Sequence, residues 1–370
     1  MSRQELVLLI AVVVLFALGS VSAADLTVVT MPHAVNVQWV QAGVEAYLAQ
    51  RGEELDIQVI AANDWLEQII VMVVVGGNSP DVIFWYSADF MELVGSGLLE
   101  DLAPYVAADN LDLSQYVPST LDAVQYRDAL YGLPRSWSAV GLLYNENIFS
   151  ERGVPYPEVW TWEDLLVDGR KLTWDENGDG ETDHFAFSDF WAHFNRWPMW
   201  VLQAGGRFWN DDMTECLLNS PEAIEGMQFM YDLYFTYNIA PKMVSARLVE
   251  TGVSTTTTGY NITRDLFERG HIAAIHGTRY ERPAESRDSF AVTEPVRGPA
   301  GAASIVAVDF MAMMIDSKNK ELAWDFIKFM SSDEGIDAGM ELTPKQAYHY
   351  GLSPIIPQLQ RQLAESTEMK

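Results

Sequence analysis

The chain is 370 residues long, 49% hydrophobic and strongly acidic, with 52 Asp and Glu against 23 Lys and Arg and a formal charge of −29. That length exceeds one comfortable domain, so two lobes are expected. The charge repels phosphate backbones and anionic membranes, which excludes nucleic-acid binding, and a lone Cys216 excludes an internal disulfide.

The first 23 residues differ from the rest. Behind Arg3, an unbroken apolar run extends from Leu6 to Leu18, and Val21-Ser22-Ala23 supplies the small residues that precede a cleavage site. This predicts a secretory signal peptide cleaved after Ala23. The run is short for a bilayer span. No Cys lies near the cleavage site, so a lipoprotein is excluded and the expected location is the periplasm or the exterior.

Asp25–Thr30 alternates as a strand, and Val35–Gln50 carries Val37, Val40, Val44 and Leu48 at helical spacing before Arg51-Gly52. Leu55–Ala61 reads as a second strand, Trp65–Val75 as a helix, Asp81–Trp85 as a buried third strand and Ala88–Val94 as a helix. This βαβ alternation predicts a parallel sheet covered by helices. Ligands of such sheets sit beyond the carboxyl ends of the strands. The loops Met31–Asn36, Ala62–Trp65 and Trp85–Asp89 are therefore the ones that matter.

Tyr131–Phe149 opens on a turn at Gly132 and Pro134, passes Arg135, Ser136 and Trp137, then runs apolar from Ala139 to Tyr144. It is the predicted crossing from a βαβ lobe to a second, aromatic-rich one. There, Trp162–Leu172 is a predicted helix capped by Thr161, and Pro221–Tyr237 another capped by Ser220. Gly252–Gly259 is a polar loop, Arg264–Gly270 a helix and His271–His276 a strand. Ser304–Ile315 is apolar around Asp309, and Glu321–Met330 is amphipathic.

Three constellations carry chemistry. Asp175, Asn177, Asp179, Glu181 and Asp183 fall at positions one, three, five, seven and nine of an EF-hand-like loop, with Gly180 at the turn. They predict a structural calcium ion. Position twelve is Ala186 rather than a bidentate Glu, so a weaker site or a further ligand from elsewhere is implied. Trp65, Trp85, Trp137, Trp191, Trp197, Trp209 and Tyr280 form an aromatic set suited to stacking on the C–H faces of sugar rings. Arg135, Asp64, Asp89, Asp309 and Arg279 are polar candidates: Arg presents a fork of donors, and a carboxylate accepts two hydroxyl hydrogens. No metalloprotease, P-loop, dinucleotide or nucleophile-elbow motif is present in the sequence, and no enzyme is expected. Two alternatives stay open: a secreted carboxylate-dependent glycan-acting enzyme, and a binding protein for a cationic ligand such as a polyamine, for which Asp309 supplies charge.

Several stretches together resemble the extracellular solute-binding proteins of ABC transporters, in the sugar-binding family that includes maltose-binding protein. They are Asn78–Ile83 with its P-D-V, GLLEDL at 97–102, YGLP at 131–134, Leu143-Tyr144-Asn145, GVPYPEVWTWEDL at 153–165, the N-G-D-G insert, Phe267–Gly277 and Ala323–Ser331. The resemblance implies an α/β, two-lobed type II periplasmic-binding fold with discontinuous lobes joined by a hinge. Lobe I is then 25–132 and 271–315, and lobe II 133–270 and 316–370. It implies a monomer that captures a sugar or oligosaccharide between closing lobes and delivers it to the membrane permease. Its ligand contacts map onto His33, Asp64, Trp65, Tyr86, Arg135, Trp137, Trp191, Asn195, Arg279 and Tyr280. Where the family often has Gly-Gly-Trp, this chain has Ala307-Val308-Asp309, which removes a ring and adds a carboxylate.

Overall fold

The structure is a computed structural model, and it describes residues 24–368 apart from 33, 53, 63–78, 190–195, 243–258, 279–280, 282–288 and 341–350. It divides the chain into two units, residues 1–137 with 308–370 and residues 138–307. The predicted signal peptide, the helix Trp65–Val75 and most of the polar loop at 252–259 lie outside the described residues.

Unit 1 is built on five strands. β1 (Leu26–Thr30), β2 (Ile57–Ala61) and β3 (Val82–Tyr86) are parallel, as the alternation with helices requires. A short hairpin, β4 (Gln125–Tyr126) with β5 (Ala129–Leu130), precedes β6 (Leu133–Ala139). The sheet order is β2-β1-β3-β13-β6, where β13 (Val306–Met313) runs antiparallel to β3. Val82, Ile83, Phe84, Phe310 and Met311 are fully buried, consistent with central strands covered on both faces. The helix Ala34–Arg51 buries Trp39, Val40, Gly43, Val44 and Tyr47 and packs on the helices Lys320–Met330 and Asp333–Met340. Asp81 ties the far end of the sheet together: its carboxylate accepts the Thr27 N–H at 2.9 Å and the Ser317 hydroxyl at 2.6 Å.

Unit 2 holds a four-stranded sheet of order β10-β7-β9-β8, from β7 (Gly141–Asn145), β8 (Phe185–Ser188), β9 (Ile272–Gly277) and β10 (Phe290–Thr293). β8 and β9 are parallel; β7 is antiparallel to both β9 and β10. A two-residue ladder joins β11 (Arg297–Gly298) to β12 (Gly301–Ala302). The predicted N-caps are present. The Thr161 hydroxyl accepts the Asp164 N–H at 3.1 Å in a reciprocal capping box, and the Ser220 hydroxyl accepts the Ala223 N–H at 3.2 Å. The helix Pro221–Phe235 approaches Trp197–Gln203 so closely that a Cβ on Gly226 would stand 2.3 Å from the Trp200 carbonyl oxygen. Among the described residues no helix is long and apolar enough to cross a membrane.

The lobe boundaries differ from those expected. β9 was expected in lobe I, yet it pairs with β7 and β8 of unit 2, Gly277 opposite Gly141 and Ile272 opposite Phe185. Residues 316–370 were expected in lobe II but belong to unit 1, where their helices cover Ala34–Arg51 and Leu352 pairs with Trp137. Periodicity identifies an element without naming its distant partner, and these pairings join residues far apart in the sequence. The crossing expected within 131–149 falls between Trp137 and Ser138, inside β6.

Candidate functional site

In unit 1 the candidate residues gather where β3 ends and β13 begins, with Tyr86 in register opposite Asp309. The Trp85 side chain is buried, and its indole N–H donates to Asp89 Oδ2 at 3.1 Å, so this ring is core rather than a stacking surface. Tyr86 is half-buried and hydrogen-bonds Asp89. Burial, with the Asp89 carboxylate beside it, pushes the Tyr86 phenol up to about 12, so it stays a donor at neutral pH. Burial also raises the Asp89 carboxyl, against the hydrogen bonds from Trp85 and Tyr86.

Asp309 is the centre of this cluster. Its Oδ2 accepts the Ser136 hydroxyl at 2.6 Å and faces Arg135 Nη1 at 3.7 Å. Burial raises its carboxyl, and Arg135 and Ser136 pull it back. Oδ2 is therefore held by Ser136, while a quarter of the side chain stays exposed among the described residues.

Arg135 corrects its expected role. Its side chain is 1% exposed, and the guanidinium lies over the Trp39 ring at 3.1 Å from the centroid and over Phe84 at 4.9 Å. Such stacking offsets part of the cost of holding the cation inside an apolar wall. It supports Asp309 from behind instead of presenting a fork to solvent. Trp137 is half-buried; its indole N–H donates to the Ser353 carbonyl at 2.9 Å, so its edge is held and only part of the ring is accessible. His33, Asp64 and Trp65 lie outside the described residues, in segments that follow β1 and β2.

In unit 2 the corresponding place is the carboxyl end of β8 and β9. Asp189, just past β8, is fully buried and accepts hydrogen bonds from the Trp200 indole N–H and the Tyr234 hydroxyl. Burial raises its carboxyl and, with Asp189 nearby, raises the Tyr234 phenol well above its ordinary value. Arg196 Nε donates to the His276 carbonyl at 2.9 Å, and its Nη2 pairs with Glu281. Glu281 in turn accepts the Thr278 N–H at 2.9 Å and the Thr278 hydroxyl. His276 Nε2 accepts the Val296 N–H at 3.2 Å, and burial beside the Arg196 cation pushes the imidazole down to about 3. Trp191, Asn195, Arg279 and Tyr280 lie outside the described residues, but each is within five residues of this network in sequence. The sequence reading missed Asp189 and Glu281. A single acid inside the apolar run FAFSDFW was the available signal for the first; nothing local marks the second.

The remaining aromatic candidates are dispersed. Trp197 meets Phe208 edge-on at 5.6 Å, and Trp209 is exposed. The 175–183 loop closes on itself: Asp175 accepts the N–H groups of Gly178 and Gly180, each at 2.7 Å, and Asp183 accepts that of Glu176 at 2.8 Å. Asn177 and Asp179 accept from Asp179 and Glu181, each at 2.9 Å. Gly178 and Gly180 have φ of +78° and +92°, conformations that favour glycine. Among the described residues no three His, Cys, Asp or Glu side chains are grouped to hold a metal ion.

A family model described as bacterial extracellular solute-binding protein matches residues 33–337. The maltotriose-binding protein of Pyrococcus abyssi is 23% identical over 305 residues, which cover 80% of this chain and 58% of that protein. The chain spans less than two thirds of the length of the curated relatives it matches first, 58% and 64%. Among solved structures, an ABC substrate-binding protein from Listeria monocytogenes in complex with cycloalternan has a TM-score of 0.66 at 24% identity, over 90% of this chain and 86% of the other. A solute-binding protein from Thermotoga lettingae bound to α-D-tagatose has a TM-score of 0.69 at 20% identity, over 91% of this chain and 83% of the other. These likenesses show the fold: two-lobed, mixed α/β and of the type II periplasmic-binding class.

Proposed function

The chain belongs to the bacterial extracellular solute-binding protein family, and from that premise we propose that it binds a sugar or oligosaccharide for an ABC importer and hands it to the membrane permease. The observation that carries the reading is Asp309. It is a partly exposed carboxylate at the end of β3 and β13, beside the half-buried Tyr86, and is braced by Ser136 and the stacked Arg135. A carboxylate fixed in this way accepts hydrogen bonds from adjacent hydroxyls of a pyranose or furanose ring. The saccharides named with the relatives support the same class. The family is one of extracellular solute-binding proteins, and the protein is read as a monomer acting in the periplasm or outside the cell.

Thermal-shift titration against maltotriose, cycloalternan, tagatose and spermidine tests the reading. A saccharide at a hundred times its Kd stabilises the folded state by about 2.7 kcal/mol. Response to spermidine alone would replace the sugar reading with the cationic one. The 175–183 loop is proposed to take calcium. Its ligand spacing and its two left-handed glycines support this. Calcium is expected to raise the melting temperature of the wild type and not of Asp179→Ala; no response in the wild type would refute it.

A further inference from the structure

The helix Pro221–Phe235 has two apolar faces, and only one of them meets unit 2. Its inward face buries Ala223, Gly226, Met230, Leu233 and Tyr234, with Gly226 against the Trp200 backbone. Its outward face carries Ile224, Met227, Tyr231 and Phe235 at spacings of three, four and four, so they form one stripe along the helix. The four are 36–55% exposed. Tyr231 and Phe235 stack on each other at 4.5 Å, which orders that end of the stripe. Of fifteen large hydrophobic residues exposed among the described residues, eight lie between Trp209 and Tyr237. Scattered exposed apolar residues are ordinary, whereas such a concentration marks an interaction surface.

The charges around the stripe select its partner. From Phe208 to Pro241 the sequence has six acids and no Lys, Arg or His; at the two edges Arg207 pairs with Asp211 and the Lys242 ammonium stands 5.8 Å from the Phe235 ring, so the acids outnumber the cations six to two. Five of these, Asp211, Asp212, Glu215, Glu222 and Glu225, are exposed, and Asp232 is half-buried. A second copy would bring the same acids against themselves, which like-charge repulsion disfavours. Rings stacked on each other do not form the open flat face a sugar needs. We propose that this helix face docks a protein partner that presents apolar side chains bracketed by Lys or Arg. The surface is separate from the sheet ends described above and does not depend on what they bind.

The probe is a fluorescein-labelled synthetic amphipathic helix with a Leu face bracketed by Lys, paired with an otherwise identical peptide bracketed by Glu. Anisotropy titrations of the full chain are expected to show the Lys peptide binding at least about tenfold more tightly than the Glu peptide. The double variant Tyr231→Ser/Phe235→Ser, and independently Ile224→Asn, is expected to lose about tenfold in affinity for the Lys peptide. Circular dichroism and thermal melts check that both variants are folded. Equal binding of the Lys peptide to wild type and variants would reduce the effect to attraction by net charge and overturn the proposal. So would equal binding of the two peptides. Self-association in sedimentation velocity that these variants abolish, or flotation of wild type but not variants with phosphatidylcholine vesicles, would assign the face to a second copy or to a lipid surface and overturn it as well.

Discussion

The sheet ends of the two units use charge in opposite ways. In unit 1, Asp309 keeps one oxygen on Ser136, stands 3.7 Å from Arg135 and leaves a quarter of its side chain exposed. In unit 2, Asp189, Arg196 and Glu281 are all buried and hydrogen-bonded to protein groups. A buried charge is tolerated when it is paired and hydrogen-bonded, and it then fixes local geometry rather than meeting a ligand. The first arrangement leaves a polar group for an incoming molecule. The second secures the backbone on either side of the segments where Trp191, Asn195, Arg279 and Tyr280 were expected to act. A carboxylate at a strand end is thus no evidence of recognition until its second oxygen is accounted for.

The largest expected effect breaks the sealed side. Arg196 and Glu281 are 2% and 4% exposed, so removing one partner strands the other charge in the interior. Glu281→Ala is expected to cost about 3–5 kcal/mol in urea unfolding. Glu281→Gln is expected to cost less, because an amide still accepts from Thr278. A loss below about 1 kcal/mol for Glu281→Ala would show that unit 2 is not sealed as described.

His276 sharpens the same contrast through pH. Its folded pKa is about 3 and its ordinary value 6.5, so the unfolded chain takes up its proton first as pH falls. Stability from this group is complete above pH 6.5 and is lost as pH falls from 6.5 towards 3, by about 1.4 kcal/mol per pH unit once well below 6.5. Asp189, whose folded carboxyl is raised, acts in the opposite direction at the acid end of that window. The unfolding free energy of wild type is expected to fall by about 2 kcal/mol between pH 6.5 and 5 relative to His276→Gln; parallel pH profiles for the two proteins would remove the buried neutral imidazole from the account.

The smallest effect lies on the open side. Ser136→Ala removes one hydrogen bond to a carboxylate that can rotate towards water, and is expected to cost about 1 kcal/mol in stability. A cost as large as that of Glu281→Ala would mean that the two sheet ends are equally sealed.

Much of the architecture was readable before the coordinates. β1 and β3 follow from period-two patterning and buried composition, the helix Ala34–Arg51 from 3.6-residue spacing, and the helix starts at Thr161 and Ser220 from capping chemistry. Each of these is a local property. The assignment of β9 and of residues 316–370 to their units was not legible, because it depends on pairings between Ile272 and Phe185 or Leu352 and Trp137 that no window of sequence contains. The candidate site was legible in place more than in role. Tyr86, Arg135 and Asp309 do come to one sheet end. That Arg135 faces inward depends on Trp39, which is remote in sequence and close in space. The same holds for Trp85, whose position at a strand end suggested a stacking ring and whose partner Asp89 makes it part of the core.

Isothermal titration of a saccharide such as maltotriose into wild type and Asp309→Asn tests the central claim most directly. The substitution keeps the size of the side chain and its bond to Ser136 but withdraws its negative charge. Saccharide binding by wild type, weakened about tenfold or more in Asp309→Asn at a temperature where both proteins are folded, is the expected result. Equal affinity in the two proteins, or no heat with any saccharide, would contradict it.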